Sequence, residues 1–236
     1  MKKSEKKEYN KDPLRIVVTF SGEYVHYGTD LNDPDYEDGR DLHADEIEEI
    51  EIFFPEEKEP IRLSEYLPPG VTFVHSPELG DGYHELNGCY ISFDSLIEKG
   101  GLIGILHEMG HANVDERYNY LDESSNSNLI RERHAWGWAL LLFKELKRQG
   151  KNLEPQMDEI SIKDLIKDSL ISHEICSRAS DQIADKKVVE HGYWPKMRDE
   201  DLVRVVDELY DKPLSNLRDS YASSQELKRA VRLPKK

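Results

Sequence analysis

Along the first hundred residues apolar positions tend to recur every second residue, and beyond them every third or fourth. Leu14 to Phe20 is a short β-branched run. Ile50, Ile52 and Phe54 alternate with Glu49, Glu51 and Phe53, and Val71 to His75 follows the Pro68-Pro69-Gly70 turn. Cys89, Ile91 and Phe93 alternate with Tyr90 and Ser92. A period of two sends successive side chains to opposite faces of a pleated strand, so each of these segments is expected to be a strand. From Asp94 or Ser95, as an N-cap, the period lengthens, with Gly100-Gly101 as a break. Helices are expected over 102–113, 128–149, 161–179 and 199–210, with a weaker one over 215–231. Residues 1–12 are almost entirely polar and read as a disordered tail. Strands followed by helices predict an α+β domain over 13–150 and a helical C-terminal region over 151–236.

Charge changes the picture next. The 236 residues carry 32 basic and 48 acidic side chains, a net charge of −16. Such a surface repels phosphate backbones and anionic lipid headgroups, so neither nucleic acid nor membrane is an expected partner. The longest apolar runs, such as Trp138 to Phe143, fall far short of the roughly 18 residues that a membrane helix needs. Lys2, Lys3, Lys6 and Lys7 are followed by Glu8, Asn10, Lys11 and Asp12 rather than an apolar stretch, which is not the pattern of an export signal. Two cysteines, Cys89 and Cys176, allow no disulfide framework, and a reducing, cytoplasmic setting is expected. The acidic stretch around Asp33, Asp35, Glu37 and Asp38, counted from Asp33, puts Gly39 at position seven where a calcium loop has its glycine at six, and Ala44 at twelve where it has a Glu, so it reads as a solvated loop. No phosphate-binding glycine loop, nucleophile elbow or dinucleotide fingerprint is present.

The chemistry-bearing segment is His107-Glu108-Met109-Gly110-His111, an HExxH pattern. On a helix, residues four apart lie one turn up and about 40° round, so both imidazoles can reach one ion. Leu102, Ile105, Leu106 and Met109 fall on the opposite side, while Gly104 and Gly110 flank the histidines and are expected to keep the space there open. Glu108, about 100° from His107, can touch a water at the ion without being a ligand. A third ligand is then required. Six residues after His111, where metzincins place theirs, stands Arg117, which cannot coordinate.

Glu132 is the stronger candidate. In the helix over 128–149, with Ser127 or Asn128 as its cap and Gly150 as its end, Leu129, Ala135, Trp136, Ala139, Leu140, Leu142, Phe143 and Leu146 all fall within about 80° of it. A carboxylate in mid-stripe needs a cation, because an unpaired buried charge costs several kcal/mol or is neutralised by a raised pKa. Zinc would supply that cation, and so would a buried Arg or Lys. Asp115, Asp122 and Glu123, in the polar loop between the two helices, compete as ligands. His173-Glu174 begins a second such motif, but Ser177 stands where its second His would be.

The HExxH motif with Glu132 and Ala135 as a downstream ExxA element resembles the gluzincin zinc metallopeptidases, and within them the ImmA/IrrE group. The likeness spans about Leu96 to Leu146. It implies a zincin-like core, zinc held by His107, His111 and Glu132, and an antiparallel edge strand before the active-site helix that Cys89 to Phe93 would match. It also implies peptide-bond hydrolysis by zinc-activated water, with Glu108 as general base and a peptide or protein as substrate. Thermolysin-like gluzincins carry an Asp four residues after the ligand Glu, where this chain has Trp136. His84, Tyr90, Tyr118, Tyr120 and His191 are the candidates for stabilising an oxyanion. The alternative is a non-catalytic zinc-containing module whose acidic surface recruits a protein partner, and the C-terminal helical region offers a surface for one.

Overall fold

The computed structural model describes residues 4–25, 44–75, 82–84, 88–115, 125–183 and 199–213. Among them the chain forms a mixed α+β fold, with strands over the first part and helices over the second. Strands β1 (Glu5–Lys11), β2 (Leu14–Val25), β3 (Ala44–Phe53), β5 (Thr72–His75), β7 (Gly88–Ile91) and β6 (Gly82–His84) lie side by side in that order, and the two-residue β4 (Ile61–Arg62) pairs with β3. All neighbours are antiparallel except β5 and β7, which run parallel with Phe73 opposite Cys89. The helices are α1 (Phe93–Ile97), α2 (Gly101–Asp115), α3 (Ser125–Arg148), α4 (Glu159–Ile183) and α5 (Asp199–Asp211). No described helix is long and apolar enough to cross a membrane.

The alternation in the sequence emerges as burial. Ile16, Val18, Ile50, Ile52, Phe73, Cys89 and Ile91 all face the core, whereas Glu49 and Glu51 sit half-buried on the other face of β3. Glu49 caps the short 3-10 turn over Leu63–Tyr66, accepting from the backbone N–H of Ser64. One apolar cluster runs from Leu14 through α2 and α3 to Leu209 of α5.

Three expectations are corrected. Residues 5–11 are not a disordered tail: they form β1, in register with β2 from Glu5 opposite Phe20 to Lys11 opposite Leu14. The strand is polar because it lies at the sheet edge, yet Tyr9 packs on Phe93 and Lys11 is buried. The segment Cys89 to Phe93 is not an edge strand. β7 ends at Ile91 and is flanked by β5 and β6, so β6 borders the sheet. The cap of α1 is Ser92, whose side chain accepts from Ser95 N, rather than Asp94 or Ser95. The acidic stretch around Asp33 and the helix over 215–231 lie outside the described residues.

The N-terminus of α2 is held from a distance. A helix start leaves backbone N–H groups unsatisfied, and α2 has no acidic residue in its first turn. Glu154, in the α3–α4 connection, accepts from Ile103 N at 3.1 Å and Gly100 N at 3.4 Å, while Lys11 donates to it at 2.9 Å and to Glu98 O at 2.9 Å. Both side chains are buried, with 7% and 1% of their surface exposed.

Candidate metal centre

Helices α2 and α3 pack face to face, and the closeness of that contact creates the site. A Cβ on Gly110 would lie 2.4 Å from Ala135 O, so only a hydrogen at this position lets the two backbones meet. Gly110 was expected to border open space; instead it is buried against α3, and of the two flanking glycines it is Gly104 where an added Cβ would meet nothing within 4 Å beyond its neighbours and its own helix backbone. Ala135 of the ExxA element is the residue it meets. Gly110→Ala adds helix propensity of about 1 kcal/mol. Overpacking costs about 1–3 kcal/mol, and a clash with backbone cannot be relieved by a rotamer change. The variant is therefore expected to melt lower and to hold an added metal ion more weakly, checked by thermal unfolding and a chelator competition. An unchanged melting point would show that the helices have room to spare.

With the helices this close, the three ligand candidates converge. His107 Nε2 lies 3.1 Å from Glu132 Oε2, and His111 Nε2 lies 3.1 Å from Glu132 Oε1. One ligand atom from each residue falls within 4.8 Å of the others. Zinc bonds of about 2.0–2.1 Å at tetrahedral angles place ligand atoms roughly 3.3 Å apart, so the spacing suits such an ion. The donor set, two imidazoles and a carboxylate, suits it as well.

Glu132 is 5% exposed, as its place in the apolar stripe predicted. Among the described residues its facing groups are the two imidazoles. Burial pushes its pKa up, but the hydrogen-bonding and charge of His107 and His111 outweigh this and hold the carboxyl far below the usual carboxylate range. At neutral pH the triad therefore presents an anion between two nitrogen donors. Asp115, Asp122 and Glu123 fall outside the described side chains.

Glu108 points beside the triad. Its Oε1 is 3.9 Å from His107 Nε2 and its side chain is 17% exposed, so it borders the triad without belonging to the ligand group. Of the oxyanion candidates, Tyr90 is half-buried on β7, while the side chains of His84, Tyr118, Tyr120 and His191 lie outside the described ones.

Two features were not legible in advance. Trp136, which reads in the sequence as a core residue, stacks on His107 with ring centroids 4.2 Å apart and planes 22° from parallel. Its Nε1 donates to Ser169 Oγ of α4 at 3.0 Å. The signal was its position four residues after Glu132, on the same helix face. His134, about 160° round the helix from Glu132 and so on the side that a helix with one apolar face leaves to solvent, is also buried, α3 being covered by α4 and α5 as well as by α2. Compared with protein-family models, curated proteins and solved structures, the chain gives no significant match.

Proposed function

We propose that the protein is a zinc-dependent metallopeptidase with a zincin-like core, related to the gluzincins of the ImmA/IrrE kind, in which His107, His111 and Glu132 hold the metal. The observation that carries this is the convergence of both HExxH imidazoles on a buried carboxylate from a second helix, each 3.1 Å away, with a second acid, Glu108, beside them that is not part of the ligand group. Three protein ligands leave one position for water or substrate, the layout of a catalytic rather than a structural site. When bound, zinc supplies Lewis-acid chemistry, lowering the pKa of a water towards neutrality and polarising a carbonyl.

The chain's own residues do the rest. Glu108 takes the proton from the attacking water and passes it to the leaving amine, a role that needs a carboxylate within reach of the triad but not bound in it. Glu132 keeps the site anionic and both imidazoles turned inward. β6, the last strand of the sheet among the described residues, also touches α2, and its outer side would offer a peptide backbone a hydrogen-bonding partner by β-augmentation.

The test is hydrolysis of a mixed peptide library by the purified chain. Cleavage is expected to stop when a chelator strips the metal and to return when zinc is restored. An intact library in the presence of bound zinc would instead favour the non-catalytic interaction module, with the acidic surface as its working part.

A further inference from the structure

Resting on the metal-site reading above, we infer that Trp136 and Ser169 are positioning residues for the metal, and that helix α4 thereby sets how tightly the site holds zinc. A ligating histidine is ordinarily fixed by a hydrogen bond from its second ring nitrogen. In this chain His107 Nδ1 is buried and has no hydrogen-bond partner among the described residues. The ring is held instead by its face, stacked on the Trp136 indole at 4.2 Å and 22°. The second imidazole approaches it edge-on at 4.6 Å and 73°, so one face of His107 belongs to the indole.

Stacking is a directional substitute for the missing bond. An imidazole that donates its lone pair to zinc becomes electron-poor, and the electron-rich face of an indole attracts such a ring more strongly than a neutral one. The contact therefore tightens when metal binds and raises affinity. It works only if the indole cannot swing away. Trp136 is 2% exposed, and its N–H is anchored to Ser169 Oγ on α4 at 3.0 Å. The path from the C-terminal helices to the metal thus runs Ser169, Trp136, His107, and a shift of α4 changes the orientation of one ligand without touching the ion.

The experiment is a zinc titration of the full chain against a competing chelator, read also by tryptophan emission. Wild type and the variants Trp136→Leu, Trp136→Phe and Ser169→Ala are compared, each first checked for a cooperative melt. Trp136→Leu loses the aromatic face and is expected to bind zinc roughly ten-fold more weakly. Ser169→Ala leaves the indole unanchored and is expected to bind a few-fold more weakly, with a smaller zinc-dependent change in emission. Trp136→Phe keeps a ring and is expected to bind within a few-fold of wild type while losing most of that emission change, since among the described residues Trp136 is the indole that stacks on a ligand ring. Should Trp136→Leu not fold, Ser169→Ala and Trp136→Phe still decide the matter. Zinc affinity and emission change both unaltered in Ser169→Ala, with Trp136→Phe retaining the wild-type emission change, overturn the inference and leave the metal site standing. A wild-type chain that takes up no zinc overturns the metal site itself.

Discussion

Glu108→Gln is expected to lower peptide hydrolysis by about a hundred- to ten-thousand-fold, the usual worth of a positioned general base, while leaving the zinc content of the chain unchanged. The amide has the shape of the carboxylate but cannot accept a proton from water at neutral pH. Because Glu108 lies outside the ligand group, its replacement removes nothing from the ion. Its partial exposure also means that folding should hardly notice, with a stability change within about 0.5 kcal/mol. Activity assay, metal analysis and thermal melt on one preparation separate the possibilities. Cleavage persisting in the zinc-loaded variant would take Glu108 out of the mechanism. Loss of zinc together with cleavage would make it a ligand instead.

Glu154→Ala is expected to destabilise the chain by about 3–5 kcal/mol, the scale seen when one partner of a buried ion pair is removed. The change strips the Ile103 N–H of its acceptor and leaves the Lys11 ammonium buried with Glu98 O as its remaining hydrogen-bond partner among the described residues. For a chain of this size each kcal/mol corresponds to about 2–4 °C, so the melting point should fall by roughly 10 °C. The cost arises from the stranded charge, so Lys11→Met combined with Glu154→Gln, which keeps an acceptor for the helix and removes both charges, should recover much of it. A fall of under about 1 kcal/mol in Glu154→Ala would mean that water reaches Lys11 and that the clamp on α2 is weak.

What was legible in the sequence was whatever repeats within a few residues. The period-two runs around Ile50 and Cys89 became strands, and the HExxH spacing put His107 and His111 on one face of α2. Glu132 stood out because a charge in an apolar stripe has a large local penalty that something must offset. Contacts made across long separations left no such mark. Lys11 and Glu154 are 143 residues apart, and each alone resembles an ordinary surface charge. β1 looked disordered because an edge strand needs only its backbone and one or two buried side chains to pair. The place of β7 inside the sheet depends on β6, three residues long and too short to show a period. Gly110 was noticed for the right reason, the missing side chain, but only the packing of α3 shows that the space is filled by Ala135.

The most direct measurement is zinc content, by elemental analysis, of wild type beside Glu132→Ala. Wild type should carry about one zinc per chain, and the variant, still folded, close to none, because two imidazoles without the carboxylate make a far weaker site. Equal zinc in both proteins, or none in either, would contradict the claim that α2 and α3 together build a metal centre.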